Sequence, residues 1–97
     1  MEINQMLSLS TAHVTKDASE WLDGQAKLTK DNKMDLITYP KGGYGWFIPL
    51  YDEMFDEGKI IPDSVLFIIG YAMGKGCQWI MFDHEIEPID ELPKYVW

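Results

Sequence analysis

Ninety-seven residues with 16 acidic side chains, 8 lysines, no arginine and a net charge of −8 predict one small acidic domain over residues 1–97. The 46% hydrophobic and 13% aromatic content excludes a disordered chain, and surface scaling at this mass gives about 5,700 Å² folded against about 16,000 Å² unfolded, so about 65% of the surface is buried. The shortage of cations excludes direct contact with nucleic acid or anionic lipid, the lone Cys77 excludes an internal disulfide and a four-thiolate zinc site, and the nine-residue apolar run Val65 to Met73 is too short to span a bilayer.

Leu7, Leu9, His13 and Val14 read as a short first strand in a Ser- and Thr-rich stretch. Thr15 then caps a helix, with Asp17 and Glu20 in its early turns, where carboxylates favour the dipole. Ala18, Trp21, Leu22 and Ala26 recur at three- and four-residue spacing and give that helix one buried stripe from about Lys16 to Ala26. Lys27 to Asp35 alternates charge without apolar period and reads as a loop or a frayed extension.

Leu36 to Tyr39 and Tyr44 to Ile48 read as two strands around the turn Pro40 to Gly43. Pro49 stops the second, and a short helix is expected from Leu50 to Glu57, ended by Gly58. Pro62 and Asp63 mark the start of a further helix with Asp63 as its cap, apolar on all sides from Val65 to Met73 and closed by Lys75 and Gly76. Gly70 and Gly74 lie four apart and are explained if this helix rests its backbone against a sheet. Gln78 to Asp83 alternates as a strand, His84 and Glu85 turn, a last extended piece runs through Ile86 and Ile89, and the apolar end of the segment Leu92 to Trp97 packs down. The expected fold is α+β: an antiparallel sheet of about four strands with the Val65 to Lys75 helix packed on one face.

Catalytic side chains are few. His13 with Cys77 could pair as base and thiol, against the plainer reading of Cys77 as an inert buried residue. Asp83, His84, Glu85 and Glu87 could ligate a divalent cation, but the two-histidine helical spacing is missing, and no metal or cofactor is expected. Gly42, Gly43 and Gly45 lack the Lys-Ser ending of a phosphate loop. The reading is therefore non-enzymatic.

Charge placement says more. Leu50 to Ser64 and Cys77 to Trp97 each hold five acids against one lysine and together carry the whole net charge. On a helix Asp52 would oppose Asp56 and Glu53 would oppose Glu57, each pair costing about 0.2–0.5 kcal/mol, so local stability does not account for them. In the second stretch Glu85, Glu87, Asp90 and Glu91 stand beside Lys94 alone. Such rows keep small proteins soluble; they also copy the phosphate row of duplex DNA, one charge per about 1.7 Å of axis. Tyr44, Trp46, Tyr51 and Phe55 could anchor an interface beside the first row or belong to the core.

The blocks Leu9-Ser-Thr-Ala-His13, Ala18 to Gly24 (ASEWLDG), Gly43-Tyr-Gly-Trp-Phe-Ile-Pro49, Pro62 to Trp79 and Leu-Pro-Lys-Tyr-Val-Trp97 resemble a domain-of-unknown-function family carried by plasmids, integrative elements and phages. The resemblance implies one compact domain and brings no catalytic residues. In size and acidity the chain is also similar to phage-borne anti-CRISPR and anti-restriction proteins, some of which mimic DNA. Together these readings predict a cytoplasmic counter-defence inhibitor that fills a basic nucleic-acid groove of a host defence complex, a CRISPR effector first among them. Its contact residues are Asp52, Glu53, Asp56, Glu57, Glu85, Glu87, Asp90, Glu91, Tyr51 and Trp46. The alternative is an antitoxin-like or regulatory module that binds through apolar aromatics, Tyr44, Trp46, Tyr51 and Trp97.

Overall fold

The computed structural model describes residues 1–55 and 58–97. In chain order these form β1 (Met6–Ser10), a 3₁₀ turn (Thr11–His13), α1 (Lys16–Lys30), β2 (Tyr39–Pro40), β3 (Gly45–Pro49), a second 3₁₀ turn (Asp52–Phe55), α2 (Asp63–Gly74) and β4 (Trp79–Asp83). The sheet order is β1-β4-β3-β2, so an α+β fold with a largely antiparallel four-stranded sheet is what the chain adopts. The exception is the β1–β4 pair, which is parallel, with Leu7 beside Ile80 and Leu9 beside Phe82. β3 runs antiparallel to β4, Trp46 facing Phe82 and Ile48 facing Ile80.

Residues in register share a face, so Leu9, Trp46, Ile48, Ile80 and Phe82 point together. They are buried in one cluster with Ala18, Leu22 and Ala26 of α1 and Val65, Ile68, Ile69 and Ala72 of α2. Both helices therefore lie on the same side, and the fold is two layers deep. Its accessible surface, 6,128 Å², is close to the scaling value.

Thr15 caps α1 as expected, its hydroxyl accepting from the Ala18 N–H at 3.1 Å. The helix runs to Lys30 rather than fraying at Ala26, with Lys27 and Lys30 in its last turn, where cations complement the dipole. The first strand ends early: the Ser10 hydroxyl accepts from Ala12 N–H and turns His13 and Val14 out of the ladder. Likewise Leu36 to Thr38 is not a strand, because α1 side chains take its amides; Gln25 Oε1 accepts from Asp35 and Leu36, and Thr29 Oγ1 from Thr38. Only Tyr39 and Pro40 pair with β3, where proline has no N–H to extend the ladder.

The helix expected over Leu50 to Glu57 is replaced by the four-residue 3₁₀ turn, closed by Met54 N–H on the Tyr51 carbonyl and pinned by the fully buried Met54; Asp56 and Glu57 lie outside the described residues. A stretch that short cannot offset the cost of nucleating an α-helix by itself. In α2 the N-cap is Pro62, and Asp63 stands in the first turn without a side-chain capping bond. This helix is not buried all round, since Phe67 is 56% exposed. Gly70 and Gly74 face open space, with nothing within 4 Å of an added Cβ, so close approach to the sheet does not account for them. The close approach falls at Gly45, where a Cβ would sit 1.6 Å from the Phe82 carbonyl oxygen.

Candidate functional site

His13 is a structural tie. Its ring is buried, Nε2 accepts the Ile89 N–H at 3.1 Å, and Nδ1 consequently carries the proton given to the Pro93 carbonyl at 2.8 Å. Neither nitrogen remains to activate Cys77. The Tyr95 N–H bonds to the Ala12 carbonyl and the Trp97 indole N–H to the Val14 carbonyl, and Leu92 is buried, so the segment is tied down; its apolar end is covered only in part, since Val96 and much of Trp97 stay exposed. Ile86 to Ile89 forms no strand, because its amides go to the Asp83 carbonyl and to His13.

Of the four residues weighed as cation ligands, Asp83 and His84 are engaged otherwise. Asp83 accepts Lys41 Nζ at 2.8 Å and the Glu85 N–H at 2.9 Å, which hold its carboxyl below the ordinary range. His84 shares the Tyr44 carbonyl and stacks on the Tyr44 ring at 5.1 Å. Among the described residues no three His, Cys, Asp or Glu side chains gather to hold an ion.

The two acidic stretches leave opposite ends of β4. Asp52 and Glu53 follow the end where Pro49 meets Trp79, whereas Glu85 and Glu87 follow the end where Gly45 meets Asp83. All four are exposed. Asp90 pairs with Lys94, which lowers its carboxyl, and Glu91 accepts the Tyr71 hydroxyl at 2.8 Å, which raises the phenol. Lys41–Asp83 and Lys94–Asp90 are the ion pairs among the described residues.

Trp46 belongs to the core rather than to an exposed anchor: it is 7% exposed, meets Phe82 edge-on at 6.3 Å, and gives its indole N–H to Asp23 at 2.9 Å. Tyr51 is half-buried with Lys59 Nζ 5.4 Å over its ring. Tyr44 and Trp97 are exposed.

Sequence reasoning misses the other face of the sheet. Met6, Trp79 and Pro49 form one row across the strands, and Ser8, Met81, Phe47 and Tyr39 the next. These side chains alternate with the core set and so point away from both helices. Met6 and Tyr39 are 44% and 45% exposed, Phe47, Trp79 and Met81 are half-buried, and the Tyr39 ring reaches to 6.3 Å from that of Trp79. A signal for it exists: β3 and β4 are apolar at successive positions, the pattern of strands covered on both faces, yet the described chain covers one.

On the helix side of the sheet, between α1, the Gly45–Asp83 end and the end of the chain, lies a cleft of about 340 Å³ bordered by Tyr44, Trp46, His84, Trp97, Asp23 and Gly43 among others. It adjoins a trough of about 460 Å³ that shares Thr11, His84 and Trp97 and is edged by Glu85, Glu87 and Tyr95.

No helix among the described residues is long and apolar enough to cross a membrane. Residues 6–97 match the model of a family described as "Family of unknown function (DUF5983) C-terminal domain". No curated protein and no solved structure matches the chain significantly. The chain belongs to the DUF5983 family.

Proposed function

We propose that this DUF5983 domain is a protein-binding module that presses the open face of its sheet onto a basic partner. The observation that carries the reading is the orientation of Phe47, Trp79 and Met81, apolar side chains set opposite the helices on an otherwise acidic molecule. Exposed contiguous apolar surface of this kind marks interaction sites. Asp52 and Glu53 at one end of β4, and Glu85 and Glu87 at the other, supply an acidic surround that selects a positively charged partner and speeds encounter.

Within this reading, a nucleic-acid groove of a host defence effector, a CRISPR complex in the first place, is the basic surface that best suits a net charge of −8, and occupying it would shut DNA out. On that account the domain is a counter-defence inhibitor borne on mobile elements, with the apolar centre giving affinity and the carboxylates giving sign.

The test is competition: labelled duplex DNA bound to purified CRISPR effectors and restriction complexes is titrated with the domain. Displacement from at least one is expected. Met81→Lys, folded by circular dichroism, is expected to lose inhibition at every salt concentration. Asp52→Lys with Glu53→Lys weakens it most at low salt, since surface charges are screened within about 8 Å at physiological ionic strength. Full inhibition by folded Met81→Lys would remove the open face from the interface.

A further inference from the structure

We infer that the aromatic cleft between α1, β3 and Trp97 is a binding site for an arginine side chain presented on an extended peptide. The inference names a pocket and a ligand apart from the open sheet face and stands whether or not that face binds a defence effector.

The cleft is built rather than incidental. The Trp46 ring, held in the core, forms its inner wall, and its indole N–H fixes the Asp23 carboxylate at the margin, bonding to Oδ1 and leaving Oδ2 without a described partner. The Trp97 ring is anchored by its own N–H to the Val14 carbonyl, and Tyr44 is braced by its stack on His84. Gly43, at the rim, presents no side chain, and nothing lies within 4 Å of where its Cβ would be, so the cleft stays open there. A volume of about 340 Å³ falls in the range of small-ligand pockets, roughly 300–1,000 Å³.

Its chemistry selects the occupant. Aromatic faces attract cations within about 6 Å of the ring, Trp and Tyr more than Phe, and guanidinium stacks on such faces as well as carrying charge. Asp23 adds a carboxylate that can meet the planar fork of a guanidinium. No lysine lines either the cleft or the adjoining trough, and the nearest in the turn, Lys41, is bound by Asp83. The trough continues past Glu85 and Glu87, which gives the flanking peptide an acidic track. Anions find no donor cation here, and a neutral ligand leaves Asp23 unused.

The probe is an N-acetylated, C-amidated Gly-Arg-Gly peptide, followed by the indole N–H resonances of Trp46 and Trp97 at about pH 8, where free imidazole is neutral. Saturable shifts of both are expected. The isosteric citrulline peptide, which lacks the charge, should bind at least about tenfold more weakly. Asp23→Asn keeps an acceptor for the Trp46 N–H, and an unchanged circular-dichroism spectrum with an unmoved Trp97 resonance in the free protein reports the fold, while affinity for the arginine peptide falls by about tenfold. Equal binding of the citrulline peptide, undiminished binding by Asp23→Asn, or absence of saturation would overturn the site. Met81→Lys is expected to bind the peptide like the unaltered domain, which separates failure of this site from failure of the open-face reading.

Discussion

The two ends of the sheet carry comparable acidic segments, yet the chain treats them differently. At the Gly45–Asp83 end, everything is interlocked: β3 lies against the Phe82 carbonyl, Lys41 holds Asp83, and His13 with the amide of Tyr95 and the indole of Trp97 ties the last dozen residues to the Ser10–Val14 segment. At the Pro49–Trp79 end the acids ride on one 3₁₀ turn whose described anchor in the core is Met54. Equal charge thus comes with unequal confinement. The tight end can hold a shaped cleft because its walls are fixed by bonds from distant parts of the chain, whereas Asp52 and Glu53 at the other end stand exposed on the turn.

The strongest way to break this contrast is at the contact that defines the tight end. Gly45→Ala places a Cβ against backbone, and a carbonyl in the middle of a ladder cannot move aside as a flexible side chain can. The expected loss is about 4 kcal/mol or more, or no folded protein at all. Gly70→Ala, made in parallel on the open side of α2, should gain about 0.5–1 kcal/mol in urea unfolding, because alanine favours a helix and meets nothing. Similar losses from both would mean that backbone propensity rather than contact governs these glycines.

A step smaller is His13→Ala, which leaves a cavity, a buried Ile89 N–H and an unmatched Pro93 carbonyl. About 3 kcal/mol is expected. Hydrogen exchange at Ile89 and Tyr95 should accelerate well before exchange in β4, since the segment beyond Asp83 detaches first. Uniform acceleration would instead show that the segment and the sheet unfold as one unit.

How much of this is legible without coordinates depends on whether the cause is local. The α1 stripe, the Thr15 cap, the turn before β3 and the alternation of β4 are set by neighbours within four residues, and the sequence displays them. Gly45 differs from Gly42 and Gly43 only through its register against Phe82, and His13 looks like a candidate base until its partners, 80 and 76 positions along, are known. Leu36 to Thr38 has strand-like residues, but Gln25 and Thr29 claim its amides first. The open face is the instructive case. Alternation in Trp79 to Asp83 says which residues share a side and not whether that side is covered, so it does not reveal that Trp79 and Met81 are left half-buried on the side away from the helices. For the same reason Trp46, expected as a contact residue, proves to be core.

The smallest expected effect compares one carboxylate from each end. Lys41, and after it the Glu85 N–H, hold the Asp83 carboxyl below the ordinary value of 3.8. A group with a depressed folded-state pKa stabilises the fold fully above its unfolded value and loses that contribution as the pH falls through the folded one. Stability from Asp83 is therefore complete above about pH 4 and declines below it. Urea midpoints measured from pH 5 down to pH 2 should fall less steeply for Asp83→Asn, which has no proton to take up and keeps one oxygen, enough to accept from one of the two donors. Asp52→Asn, at an exposed site with no described lysine partner, should change neutral-pH stability by less than about 0.5 kcal/mol. An acid slope left intact by Asp83→Asn would move the pH-sensitive tie elsewhere in the segment, and a large loss from Asp52→Asn would show that the loose end is held by its carboxylates after all.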